Sequence, residues 1–434
     1  MTTTTTTTTK TLYHESATVS DDEGFVTESS WSNEDEQDDD EDDNYSDLSS
    51  SSMEERDRVL QELEEMLELI EDNDDFLLFV SEEGLEDVLD FMVAFPDDAD
   101  IHFASSLVLV HLFRLECTTD TTSARGTGRT HQPLLQTYAS PSSMMISVST
   151  DFLQSTLLRL VEAGIVETVG VSIQRFANHQ RIQTFLLATL LRVTHPRYLG
   201  MKHYHRVDPT IIAQWAIRTL NGHNECQRFV LAVLGSIFSR SRQDPSFRTG
   251  LLEADILEAL QPILSNYKAN VSIMRITLQL LFVLTDKNPN CRGLILQGGF
   301  VPHLTRAIRK HLDHDFALLL AACGILWHLA NENDQAKVLI AQNRGIEYLT
   351  RILLRHPEHW KVQVLAVGAL CSVSLSQDPI VGEILVTSLA RDALGTAMYH
   401  HHDLDMVVDA AMIALTRIEE FTTELLHEAL STIH

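Results

Sequence analysis

Twenty histidines stand in this chain of 434 residues, and their grouping is the first sign of chemistry in it. His400-His401-His402 lies between Tyr399 and Asp403, and His203/His205, His311/His314 and His356/His359 are pairs two or three residues apart. Imidazoles at such spacing bind metal when Cys, Asp or Glu complete the ligand set. No HExxH and no Cys/His pattern accompanies them, so no metal is expected, and these histidines read as solvent-exposed turn residues. The five cysteines (Cys117, Cys226, Cys291, Cys323, Cys371) include no CxxC pair, which points to free thiols in a reducing compartment. A phosphate-cradling GxxxxGK[ST], a GxSxG elbow and a GxGxxG after a strand are all missing. RGTGR (Arg125–Arg129) has the glycines without the strand–helix context and reads as a flexible loop. The chain is therefore expected not to be an enzyme and to need no cofactor.

Charge is the second candidate for function, and its location matters more than its sum. The net charge is −30, from 62 acids and 32 bases. Residues 1–100 hold 34 of the acids and 3 of the bases, and the remaining 28 acids and 29 bases nearly cancel. This is an acidic tail on a near-neutral body, with no basic surface suited to nucleic acid. No run of eighteen apolar residues could span a bilayer, and the start, MTTTTTTTTK, lacks the apolar core of a secretory signal. A soluble, cytoplasmic or alternatively nuclear protein is expected, and a monomer. Residues 1–52 are low in complexity and too poor in apolar side chains to offset the entropy of ordering, so a disordered tail is expected there. Within it Phe25, Val26 and Trp31 are isolated apolar residues, and Ser20, Thr27 and Ser32 stand among carboxylates as acidophilic kinase sites do.

The elements that must position any site are helices. Leu60, Leu63, Leu67 and Ile70 fall at helical spacing after Ser52, a plausible N-cap, which predicts a capping helix over 53–74. Helical patterns continue almost to the C-terminus, with a further capping helix expected over 421–434, and no useful strand alternation appears. The helices are punctuated at a fixed period. Asp244-Pro245, Asn288-Pro289, Asp378-Pro379, the weaker His195-Pro196 and Asn333-Asp334 put an N-cap or Pro slot at steps of 49, 44, 45 and 45 residues. Asx at the N-cap satisfies free N–H groups, and Pro at the first helical position loses no bond. Arg248, Arg292 and Lys337 follow three of these caps by four residues. A second mark, an apolar helix end with a small or turn-forming residue, recurs in LFVSEEGLEDVL, LVEAGIVETV, LLEADILEAL, LILQGGFVPHL and LIAQNRGIEYL. Long helices then end at Leu115, Val193, Ile237, Leu284, Leu329, Val373 and Ile418. Their spacing is 44 to 47 once a Ser/Thr/Gly-rich insertion, Cys117–Thr150, is removed from the first interval.

Short helix, turn, helix and long helix at a period near 44 indicate a helical solenoid. The unit NPNCRGLILQGGFVPHLTRAIRKHLDHDFALLLAACGILWHLAN resembles the armadillo (HEAT-like) repeat in its cap, Arg292, Gly298-Gly299 and the small pair Ala321-Ala322. The resemblance covers residues 75–420. It implies an all-α, right-handed solenoid of about seven repeats, the first helix of the third (PRYLGMKHYH) being degenerate. Third helices of such repeats line a concave groove. At about 10 Å per helix layer it would run about 70 Å and take roughly twenty residues of extended chain.

Aligning the long helices on their terminal apolar residue puts Arg114, Arg192, Ser236, Val283, His328, Ser372 and Arg417 in the slot just before it. Arg181, Arg228, Arg275 and Lys361 lie two or three turns earlier. Eight of these, Arg114, Arg181, Arg192, Arg228, Arg275, His328, Lys361 and Arg417, form a line of basic groups that predicts a groove for an extended, acidic segment of a protein partner. The importin-α-like pattern of Trp and Asn four apart is not reproduced, because the equivalent pairs are Gly324/His328 and Gly368/Ser372. Trp327 and Asn331 have the spacing but not the register, so Trp327 is expected in the core. The small residues Ala188, Ala232, Gly324 and Gly368 are expected to keep the groove open. The acidic tail is a second candidate ligand, which would make it a gate on the groove. A local resemblance is also present: Val59–Phe91 resembles the start of the armadillo-type Hsp70 nucleotide-exchange factors, which implies a chaperone cofactor as the alternative to a binding scaffold.

Overall fold

The computed structural model describes residues 43–70, 73–81, 84–117, 146–195, 208–313, 315–331 and 333–433. Most of the expected disordered tail, most of the 117–150 insertion, PRYLGMKHYH with His203 and His205, and His314 lie outside the described residues. The chain divides into two units, Met1–Met53 and Glu54–His434. Of the first, only the backbone from residue 43 is described, as the beginning of a helix.

That helix, α1 (Asp43–Leu69), begins nine residues before the expected Ser52 cap. The first repeat follows as α2 (Asn73–Ser81), α3 (Gly84–Ala94) and α4 (Ala99–Val110). A 3-10 turn, His111–Arg114, leads to β1 (Leu115–Cys117), which pairs in parallel with β2 (Ile146–Val148). These three-residue strands were not expected from the sequence, and they bring the two ends of the insertion side by side. The second repeat is α5 (Thr150–Glu162), α6 (Ile165–Arg175) and α7 (Gln180–Val193), and the third contributes α8 (Pro209–Gly222) and α9 (Gln227–Ser241). The fourth is α10 (Pro245–Glu253), α11 (Ile256–Asn266) and α12 (Val271–Thr285). The fifth is α13 (Pro289–Gln297), α14 (Val301–His311) and α15 (Phe316–Ala330), and the sixth α16 (Asp334–Gln342), α17 (Gly345–Arg355) and α18 (Trp360–Ser374). The seventh is α19 (Pro379–Thr387), α20 (Ala390–His400) and α21 (Asp405–Ile433). The expected separate helix over 421–434 is the uninterrupted continuation of α21.

The punctuation does what its chemistry dictates. Asp244, Asn288, Asn333 and Asp378 accept from the backbone N–H of Phe247, Cys291, Ala336 and Ile380 at 2.8–3.0 Å, and Asp208 caps α8 in the same way. The breaks adopt left-handed backbone at Gly164, Asp255, Gly299 and Arg344, with φ of 86°, 60°, 68° and 63°. Glycine takes that conformation without steric cost, and Asp255 and Arg344 take it against their preference. Each long third helix packs on the next, from α4 through α7, α9, α12, α15 and α18 to α21, so a single apolar core runs the length of the stack.

Two expectations about the stack are corrected. Gly324 and Gly368 do not open a groove. A Cβ on Gly324 would lie 2.4 Å from the Phe282 ring, and one on Gly368 would lie 3.0 Å from Trp327. An aromatic two residues before the terminal apolar residue of one third helix thus covers a glycine on the next. Trp327 is partly buried against the core. Nor are the turn histidines all solvated. His356 Nε2 donates to the Leu312 carbonyl at 2.6 Å, and His401 Nε2 donates to the Pro357 carbonyl at 2.7 Å. Tyr267 donates from its hydroxyl to the Asn224 carbonyl at 2.8 Å. Each bond spans 43 or 44 residues, one repeat, and satisfies a carbonyl at the end of the preceding second helix. His311 is also buried, whereas His402 is exposed.

Candidate protein-binding face

The third helices start at Ala99, Gln180, Gln227, Val271, Phe316, Trp360 and Asp405. Counting from these starts shows that the eight predicted residues do not form one line. Arg181, Arg228 and Lys361 each occupy the second position, and all three are exposed. Arg181 and Arg228 have no ion pair among the described residues. Arg275 lies one turn further in, half exposed, with its guanidinium 3.4 Å from Asp315, the N-cap of α15.

Arg192, His328 and Arg417 occupy the thirteenth position, about 16 Å along the helix axis from the first row at 1.5 Å per residue. None of them is presented freely to solvent. Arg192 is buried, where the last turn of α7 is covered by Arg240 bonded to Thr194. The Thr285 hydroxyl donates to the Phe282 carbonyl and accepts from His328 Nδ1 at 2.9 Å. The His328 ring is stacked on Phe282 at 5.1 Å, and burial, with the Arg292 charge, pushes its pKa down. Arg417 pairs with Glu420 at 2.7 Å and lies 4.3 Å over the Phe421 ring. Arg114 falls in the 3-10 turn after α4 rather than on a third helix.

The register of the third repeat also differs from the sequence alignment. α9 places Arg240, not Ile237, at the fourteenth position held elsewhere by Val193, Leu284, Leu329 and Val373. An arginine there reads as a surface residue, which is why apolar alignment slipped by one turn. Its side chain is 1% exposed. The guanidinium donates to Asp244 at 3.2 Å and to the Thr194 carbonyl at 3.1 Å, bonds the Thr194 hydroxyl, and stacks 4.7 Å over Phe247.

Sequence reasoning missed one feature of this face. Phe316 and Trp360 open α15 and α18 and remain 41% and 52% exposed. With Ala317, Leu320, Val362 and His359 they line a cavity of about 220 Å³ whose rim carries Glu358 and Lys361. The Phe316 ring is held by His359 at 3.7 Å and His356 at 5.0 Å, and Lys361 Nζ sits 5.4 Å over Trp360. Its sequence signal was an aromatic at the first third-helix position in two consecutive repeats, in HDFA and EHWK. Among the described residues no group of three or more His, Cys, Asp or Glu could hold a metal ion, and no helix is long and apolar enough to cross a membrane.

No protein-family model matches the chain, and no curated protein matches it. Among solved structures it is similar to a designed armadillo repeat protein, at 15% identity over 55% of this chain and 94% of that one, with a TM-score of 0.46. It is similar to a second designed armadillo repeat protein in complex with the peptide (KR)4, at 15% identity over 66% and 98%, with a TM-score of 0.40. It is also similar to a structure from work on a phosphorylation switch controlling the interaction between cadherin and beta-catenin, at 16% identity over 83% and 71%, with a TM-score of 0.48. The chain's own stack of three-helix units, each ending in a long helix packed on the next, defines an armadillo-like α-solenoid.

Proposed function

We propose that this solenoid is a non-enzymatic protein-binding scaffold, and that an extended, acidic segment of a partner lies across the first turns of its third helices. The observation that carries this reading is the shared helical position of Arg181, Arg228 and Lys361, exposed on three third helices of one stack. Arg181 and Arg228 form no ion pair among the described residues, which leaves their charge available to a ligand. At about 10 Å between neighbouring helices, the row from α7 to α18 spans about 40 Å. That suits roughly twelve residues of extended chain.

Quantitative affinity purification of the full chain and of an Arg181→Glu, Arg228→Glu, Lys361→Glu variant, with and without ATP, tests the reading. Partners lost together in the variant support it. An unchanged partner set contradicts it, and an Hsp70 that leaves on addition of ATP replaces it with the chaperone-cofactor reading.

The acidic tail, residues 1–52, is proposed as a gate on the same row. A tethered segment reaches effective concentrations in the millimolar range, so weak intrinsic affinity would suffice. A chain lacking residues 1–52 is expected to bind the same partners more tightly, with the difference vanishing at high salt. Equal affinity at low salt removes the gate.

A further inference from the structure

We infer that the cavity between the first turns of α15 and α18 is an anchor pocket for one aromatic side chain of the bound segment, set between carboxylates that meet the neighbouring bases. This rests on the binding function proposed above and names the chemistry of its ligand. Size decides the first half. An apolar cavity of about 150 Å³ holds a benzene ring, whereas sites for drug-sized ligands begin near 300 Å³. A cavity of about 220 Å³ lined by Phe316, Leu320, Val362 and Trp360 therefore has room for a single ring.

Exposure supports the same conclusion. Two large aromatics 41% and 52% exposed leave apolar area in water that an inserted ring would cover, at about 25 cal/mol per Å². The pocket is also built in advance. His356, fixed by the Leu312 carbonyl, meets the edge of Phe316, and His359 packs on the same ring. An anchor therefore enters a preformed wall and orders little.

Charge decides the second half. Lys361 stands on the rim, and Arg228 and Arg181 lie two and three third helices away from α15 in the same row. The one acid on the rim, Glu358, has His400 Nδ1 3.4 Å away. At about 10 Å per helix and 3.3 Å per residue, carboxylates next to the ring meet Lys361, and others roughly six to nine residues along meet Arg228 and Arg181.

The probe is a labelled peptide with the sequence of residues 20–36, SDDEGFVTESSWSNEDE, which carries two aromatics among carboxylates. It is titrated in trans against the chain lacking residues 1–52, since Glu54–His434 is a compact unit of its own and the chain's own copy of the segment then does not compete. The Trp360→Ala, Phe316→Ala and Arg228→Glu variants of that chain are titrated in the same way. Folding of each variant is checked by circular dichroism. Loss of a buried aromatic anchor is expected to weaken binding by roughly 30-fold. Replacing both peptide aromatics by Ala should cost as much in the wild-type chain and little more in Trp360→Ala. Binding that Arg228→Glu weakens and Trp360→Ala leaves unchanged overturns the pocket while sparing the scaffold reading. No binding at low salt overturns the pocket and the acidic-segment reading together.

Discussion

The Arg240 guanidinium crosses the boundary between the second and third repeats and ends on Thr194, donating to both the hydroxyl and the carbonyl of that residue. Asp244, the N-cap of α10, takes the remaining charge at 3.2 Å, so one arginine ties the end of α7 to the start of the fourth repeat. An apolar residue at this position in the other repeats fills space. Here a charge is buried instead, and it is paired.

Breaking that pair should be costly. Arg240→Ala removes the guanidinium that bonds both the buried Asp244 carboxylate and Thr194, and the loss of hydrogen bonds to a charged group should cost about 1.5–3 kcal/mol. Thr194→Val, which removes only the hydroxyl, should cost about 1 kcal/mol. Urea denaturation of the two variants checks both values. Equal, small losses would mean that the network is not a structural tie.

The aromatic-over-glycine contacts should show strong coupling. Gly324→Ala places a methyl group 2.4 Å from the Phe282 ring, an overpacking worth about 1–3 kcal/mol. Phe282→Ala alone opens a gap. The double variant should lose less than the sum, because each change relieves the other. Additive losses would show that the two residues do not meet.

The left-handed break gives a prediction of opposite sign. Asp255 is exposed and makes no side-chain cap bond, yet it holds φ at 60°. Asp255→Gly should therefore stabilise the chain by up to about 1 kcal/mol, the relief of the left-handed backbone exceeding the entropy that glycine adds to the unfolded chain. A lower urea midpoint in this variant would contradict it.

Stability should fall on mild acidification. Burial pushes the pKa of His102, His303 and His328 below the ordinary value of 6.5, with Arg175, Arg306 and Arg292 adding to the effect. A histidine held neutral in the fold binds fewer protons than in the unfolded chain, so stability rises with pH between the folded and unfolded values. The contribution is complete above about pH 6.5 and is lost as pH falls through the folded values. Urea midpoints at pH 7, 6 and 5 should decline in order, and His328→Gln should flatten the decline. A midpoint that rises on acidification would reverse the assignment.

Much of the fold was legible because its signals are local. Asn288-Pro289 caps a helix with atoms three residues apart, and the Gly298-Gly299 turn is set by one φ angle, so both repeat visibly along the chain. What stayed hidden depends on one repeat meeting another. Nothing near His356 or His401 in sequence announces a carbonyl 44 residues back, and solvent was the natural reading of a turn histidine. Arg240 escaped because a buried, paired arginine and a surface arginine look alike in sequence. The cavity escaped because Phe316 and Trp360 belong to different helices, and only their stacking brings the rings to one wall. The predicted line of bases mixed two rows at opposite ends of the third helices, since apolar alignment fixes a helix face more readily than a position along it.

The central claim is that a protein partner lies across the first turns of the third helices. It is tested most directly by photo-crosslinking from two positions in the full chain. A photoreactive residue at Ser272, in the row between Arg228 and Lys361, probes the proposed face, and one at Thr249, exposed on the short helix α10, probes elsewhere. Salt-sensitive crosslinks to an acidic segment from position 272, and none from position 249, are the predicted result. Crosslinks from position 249 with none from position 272 would place the partner elsewhere and contradict the account.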